Sequence, residues 1–352
     1  MASVQEIIAR IKPVDRAAGP AAQEHLDDLT KPRGSLGRLE ELARCLAEIR
    51  GSAELAQPKA AVAVFAADHG VTAAGVSPYP PEVTPQMVLN FLAGGAGINV
   101  LARQAGAEVK VVDVGVNYDF EELSGLIKAK VAKGTANLAE APAMTPEQAE
   151  RAILIGAETA AGLINEGADL LIPGDMGIGN TTACAALTSV LCGRPVAEVT
   201  GRGAGLDDAG LGQKVATIEQ AISLHQPTRQ DPLGALACLG GLEIAAICGF
   251  VLEAAAQGKP VLLDGFISTC GSLVAAGLCP PVKDYLLAGH CSVEIGHQAQ
   301  LEALGLRPIL DLELRLGEGS GAALALNVLK AAVAIYNEMA TFASAGVSDR
   351  EE

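Results

Sequence analysis

The chain has 352 residues, half of them hydrophobic but only 3% aromatic and none Trp, so its core has to be built from Ala, Val, Leu and Ile packed around many glycines. It is long enough for one large α/β domain with an appendage or for two ordinary domains. With 41 acidic against 25 basic residues and a formal net charge of −16, it repels polyanions and lacks the aromatic platforms and basic groove of a nucleic-acid binder.

An anionic small substrate would therefore be held locally, by helix N-termini, backbone amides and one or two placed cations. The eight cysteines form no Cys-x-x-Cys pair and sit mostly in apolar context, which predicts buried, reduced thiols.

Residues 1–30 read as Ala-rich amphipathic helix. Glu6 and Arg10 interrupt this segment before an apolar stretch long enough for a signal peptide, so a cytoplasmic chain is expected. A β-branched run, Ala61 to Ala67, follows and ends in Asp68-His69-Gly70. The Pro-rich stretch Ser77 to Pro85 predicts a rigid loop, either a plain connector or the wall of a site. Further apolar runs, at Val109 to Val116, Leu170 to Pro173, Pro260 to Leu263 and Tyr285 to Ala288, alternate with helical stretches. That alternation predicts an α/β fold with a parallel sheet. Each run ends in a polar or Gly-rich tail, and in such sheets the carboxyl ends of the strands open onto one crevice.

One tail, Gly174-Asp175-Met176-Gly177-Ile178-Gly179-Asn180-Thr181-Thr182, leads into an apolar helix for which Asn180 or Thr181 is the expected N-cap. Gly177 and Gly179 allow close approach of a ligand, and the first amides of the helix then point at an anion. The same pattern also serves plain strand-to-helix packing. Asp175 needs a cationic or hydroxyl partner there.

A second Gly-rich loop, Gly201 to Asp208, leads into a helix with Lys214. Asp207 or Asp208 can cap that helix, while Gly203 and Lys214 can close on a phosphate. Leu233 to Leu252 is the nearest approach to a membrane span, but Glu243 and four glycines interrupt it, so a buried helix or helix pair is expected and no membrane partner.

The tail Gly289-His290-Cys291-Ser292 opens the pattern His290-x-x-x-Glu294-x-x-His297, which with Asp68 and His69 invites a metal reading. Gly289 and Gly296 argue for a loop-like course, and no metal site is expected. The last signal is Leu314-Arg315-Leu316-Gly317-Glu318-Gly319-Ser320-Gly321. Glu318 reads either as a helix-start Glu facing the macrodipole or as a partly desolvated carboxylate of raised basicity. Residues 325–352 return to Ala-rich helix. The expected division is a small helical domain from 1–30 plus 325–352 and a parallel-sheet catalytic domain over 31–324.

In this order, with Lys31-Pro32-Arg33-Gly34-Ser35-Leu36-Gly37-Arg38-Leu39-Glu40, Ala67-Asp68-His69-Gly70-Val71 and Glu82-Val83-Thr84, these motifs resemble the nicotinate-nucleotide–dimethylbenzimidazole phosphoribosyltransferase family over nearly the whole chain. The resemblance implies a Rossmann-like parallel sheet, a small helical domain from both chain ends, a homodimer, and no cofactor. It implies transfer of phosphoribose from nicotinate mononucleotide to a benzimidazole-type base, in assembly of the cobamide nucleotide loop. By the same resemblance Glu318 is the catalytic base. Asp175, Gly177, Gly179, Asn180, Gly203, Lys214 and Ser292 are expected on the nucleotide, and Tyr79, Gln86 and Leu316 on the base. The position of Asp175 is often Glu in the family, and the shorter side chain keeps the charge but reaches less far. Two competing readings are a non-catalytic nucleotide- or base-binding protein and a metallohydrolase on the same cleft.

Overall fold

Strand Ala60–Ala67 (β1) is buried at all eight positions, which is what a strand covered on both faces requires. Its side chains alternate. Ala61, Ala63 and Phe65 face one apolar layer, and Val62, Val64 and Ala66 face another. The computed structural model describes residues 3–348, and it places β1 between β2 (Glu108–Gly115) and β4 (Leu170–Met176), parallel to both. With β3 (Leu126–Lys128), β5 (Val261–Leu263) and β6 (Leu286–Ala288) the sheet runs β3-β2-β1-β4-β5-β6, parallel throughout. That is the strand order of the doubly wound dinucleotide-binding folds. Only β3 is absent from the sequence reading. It is three residues long, with Ile127 and Lys128 exposed at the sheet edge, so it carries no apolar run.

The first layer holds the helices Pro146–Asn165, Leu242–Ala256 and Phe266–Leu278, and Phe65 meets Phe250 edge-on at 5.5 Å. Two of these helices touch backbone to backbone. A Cβ on Gly156 would stand 1.7 Å from the Ala246 carbonyl oxygen, and one on Gly249 1.7 Å from that of Ile153, so glycine substitutes for missing aromatic bulk by letting helices close up. The expected buried helix pair forms here, as Pro232–Leu239 and Leu242–Ala256 separated at Gly240-Gly241.

The second layer holds the helices Arg38–Arg50, Gly97–Ala105 and Ser320–Glu338. Ser320–Glu338 is long and apolar enough to cross a membrane by composition, yet 56% of its most apolar window is buried in the molecule. The chain ends meet on this side. Thr30 N donates to the Ala340 carbonyl at 2.9 Å, and His25 Nε2 lies 2.7 Å from the Tyr336 carbonyl. The first helix, Val4–Ile8, goes elsewhere, burying Val4 and Ile7 in the first layer. Residues 349–352 of the expected helical unit, and residues 1–2, lie outside the described residues.

The rigid loop expected over Ser77 to Pro85 ends early, because the helix Val83–Leu92 begins inside it. Pro85 falls in the first helical turn, where a missing N–H breaks no bond. Chain direction across the sheet reverses between β1 and β4, and the crevice at their carboxyl ends is where ligands enter such folds.

Candidate active site

A cavity of about 430 Å³ opens at this crevice. The tail of β4 supplies Asp175, Gly177, Gly179, Asn180 and Thr181; the second Gly-rich loop supplies Gly203; the tail of β6 supplies His290, Ser292 and Glu294. The segment before the last long helix closes it with Arg315, Leu316, Gly317 and Glu318, and Tyr79, Val83 and Met87 face them from the Pro-rich side. Sequence motifs from both halves of the chain thus share one site.

Two of the expected residues do not line the cavity. Gln86 is exposed on Val83–Leu92, directly before Met87, and is not among the cavity-lining residues. Lys214 is fully buried behind the cradle, where its Nζ donates to Thr181 Oγ1 at 2.8 Å and to the Gly201 carbonyl at 3.1 Å. Burial pushes its pKa down to about 8, against the opposing pull of the Glu294 carboxylate. Arg315 is the cation actually at the cavity, with Nη1 donating to the Gly203 carbonyl at 3.3 Å. The signal for it was present, since it stands next to Leu316 in the last motif.

Glu318 does not face the dipole of the helix it precedes. Its Oε2 accepts from Ile98 N at 3.0 Å, at the N-terminus of the neighbouring helix Gly97–Ala105. Its backbone is left-handed, φ 65°, a conformation costing a non-glycine residue on the order of 1–2 kcal/mol. The turn is pressed against β4, where a Cβ on Gly174 would lie 2.3 Å from the Glu318 carbonyl oxygen. The carboxyl is 5% exposed as a residue and its pKa is raised, chiefly by burial, against the Ile98 amide, with the charge of Asp264 adding to the rise. A basic carboxylate in a cavity, fixed by amides, is built to accept a proton.

The helix after β4, Asn180–Cys192, is not capped by Asn180 or Thr181. Its N-cap is Gly179, at φ 96°, and Asn180 Nδ2 instead donates to Asp175 Oδ2 at 3.0 Å. No side chain caps that first turn, and its Asn180 and Thr182 amides donate to the Gly177 and Gly179 carbonyls at 3.2 and 3.0 Å. Asp175 Oδ1 is buried with no partner. Burial, then the charges of Asp264, Glu243 and Glu318, raise its pKa well above the usual carboxylate range, opposed by Asn180. The next cap follows the simple expectation, Asp207 accepting from Gly210 N at 2.8 Å.

The histidines are engaged in pairs. His69 and Glu243 form a fully buried contact at 2.7 Å; burial pulls the imidazole pKa down, and the charge and hydrogen bond of Glu243 with the charge of Asp68 together raise it. Ser292 N donates to His297 Nδ1 at 2.9 Å, so the neutral ring carries its proton on Nε2, 3.0 Å from Thr269 Oγ1; burial lowers its pKa to about 3. Among the described residues no group of three His, Cys, Asp or Glu is placed to hold a metal ion.

A phosphoribosyltransferase family model matches residues 11–347. The chain is 55% identical over 348 residues to the nicotinate-nucleotide–dimethylbenzimidazole phosphoribosyltransferase of Geotalea uraniireducens, covering 99% of each chain. It is 54% identical over 347 residues to the protein of the same name from Geobacter metallireducens, covering 99% of this chain and 98% of that one. It superposes with a TM-score of 0.91 on the crystal structure of the Thermus thermophilus protein so named, at 52% identity, covering 96% of this chain and all of the other.

Proposed function

The chain belongs to the nicotinate-nucleotide–dimethylbenzimidazole phosphoribosyltransferase family, and from that premise we propose that its cavity moves phosphoribose from nicotinate mononucleotide to dimethylbenzimidazole or a related base. The products are nicotinate and the α-ribazole phosphate used in cobamide assembly. The observation that carries this reading is Glu318, a buried carboxylate of raised pKa held by a helix N-terminus at the cavity wall. A protein that only binds nucleotide has no use for such a group.

The chemistry follows from the charges of the reactants. Nicotinate leaves as a neutral pyridine nitrogen with the electron pair of its bond to the anomeric carbon, so no acid is needed to expel it. A base nitrogen supplies the pair for the new bond on the opposite face, and its ring becomes cationic. Glu318 then takes the proton from the other ring nitrogen, its Oε1 being the oxygen not committed to Ile98.

Burial and the neighbouring carboxylates make negative charge on Asp175 costly, and positive charge developing on the ribose or pyridinium offsets that cost, so Asp175 and the reacting substrate stabilise each other. The N-terminus of Asn180–Cys192, with Gly203 and Arg315, receives the phosphate, and Lys214 supports them from behind. Tyr79, Met87 and Leu316 form the apolar wall for the base. The chain ends as a helical unit, a homodimer and a cytoplasmic location complete the proposal.

The test is direct. Protein incubated with nicotinate mononucleotide and dimethylbenzimidazole should release nicotinate and form the riboside phosphate, both identified by mass. Tight nucleotide binding without any nicotinate release would replace this reading with the non-catalytic one.

A further inference from the structure

The helix Ser320–Glu338 has no cap of its own. Its N-cap, Gly319, has no side chain, and a residue there must adopt φ 96°. The orphan amides of its first turn are met instead from the end of β5. Asp264 Oδ1 accepts from Gly321 N at 2.7 Å and from Ala322 N at 3.1 Å, and Oδ2 accepts from Gly319 N at 3.1 Å. A single carboxylate, fully buried, thus binds both sides of Ser320 and the residue directly after Glu318. Behind it, His290 Nε2 lies 3.5 Å from Oδ1.

We infer that Asp264 is the positioning residue for the proton acceptor: its three amide bonds hold the Gly317–Gly321 turn in the left-handed course that points the Glu318 carboxylate into the cavity. This rests on the reading of Glu318 as base and deepens it. Three features support the inference. Glu318 is one of three non-glycine residues with positive φ among those described, and such a conformation persists only where surroundings over-determine it. The other contacts of the turn, Gly174 beneath it and Ile98 at the carboxylate, limit its depth and the reach of the side chain but do not bind its backbone amides. Finally, three of the roughly four acceptor sites of the Asp264 carboxylate are already taken by backbone amides, so it is committed to the turn rather than open to the cavity as the base.

The charge of Asp264 gives the inference a signature that plain structural support lacks. The titratable groups around Glu318 are Asp264 from β5, Asp175 from β4 and, behind Asp264, His290; Glu243 acts on Asp175. Arg315 stands on the same segment as Glu318. Removing the negative charge of Asp264 lowers the pKa of Glu318, so the acid limb of the kcat profile moves to lower pH.

The experiment uses the full chain with nicotinate mononucleotide and dimethylbenzimidazole. Asp264→Asn should lower kcat by about 10²-fold, as expected for a misplaced reacting group, with both KM values within about twofold of the parent. Its acid limb should move down. Asp264→Glu keeps the charge but displaces the carboxylate, so kcat should fall while the limb stays. Combined with Glu318→Gln, either variant should cause no further loss, because both act through one group. Should the Asn variant fail to fold, the Glu variant and its combination with Glu318→Gln carry the test. Additive losses in the combination, or a rise in both KM values at unchanged kcat, would overturn the inference. Activity of the parent protein separates that failure from a wrong assignment of the reaction.

Discussion

Lys214 shows how far residue-scale reasoning reaches. The sequence placed a lysine beside a Gly-rich loop and suggested a phosphate partner, but it could not show that the ammonium points inward to Thr181 and the Gly201 carbonyl. Its burial has a consequence for linkage. The folded pKa, about 8, lies below the ordinary lysine value, so the buried ammonium weakens the fold below pH 8 and that penalty fades as pH rises from there toward the unfolded value. On the proposed placement of the nucleotide, a phosphate in front of it would restore the charged form. Binding of nicotinate mononucleotide near pH 8.5 should therefore take up protons, by up to about three-quarters of a proton per site, measured by calorimetry in buffers of different ionisation enthalpy. Lys214→Met should abolish this uptake and raise the KM for the nucleotide by about tenfold, because it removes the charged hydrogen bonds to Thr181 and the Gly201 carbonyl that hold the cradle, with a smaller change for the base. Binding that neither takes up protons nor weakens in the variant would remove Lys214 from the phosphate subsite.

At the scale of elements, periodicity located five of six strands and the buried helix pair, because those segments are apolar enough for burial to dominate local preference. It missed β3, whose Ile127 and Lys128 are exposed, and it misassigned the cap after β4. Asn180 reads as an N-cap from its type alone, yet the helix begins at Gly179 and Asn180 serves Asp175. The cap of Ser320–Glu338 comes from Asp264, 55 to 58 residues away in sequence, and no local pattern encodes a partner at that distance. Gly174 is a similar case, since its need for glycine arises from the Glu318 backbone rather than its own strand. Gly174→Ala places a methyl group against backbone that cannot yield cheaply. It should lower stability by about 1–3 kcal/mol and reduce kcat by moving the Glu318 turn. Thermal unfolding and kcat measured together check this; an unchanged Tm and rate would show the turn to be free of β4.

At the scale of the molecule, the fold class was legible from the alternation of runs, and the crevice from the polar tails that end them, because a parallel sheet collects its strand ends on one edge. What the sequence did not contain is the field inside that crevice. A chain of net charge −16 gathers Asp175, Asp264, Glu243 and Glu318 within mutual influence, and repulsion together with burial sets Asp175 and Glu318 at raised pKa. The central claim is that this crowding supplies a proton acceptor to a transfer reaction. Glu318→Gln keeps the shape and the Ile98 contact but cannot take the proton. With saturating nicotinate mononucleotide and dimethylbenzimidazole, single-turnover rates should fall by about 10² to 10⁴ while folding and binding of both substrates persist. A single-turnover rate in Glu318→Gln equal to that of the parent protein would contradict the account.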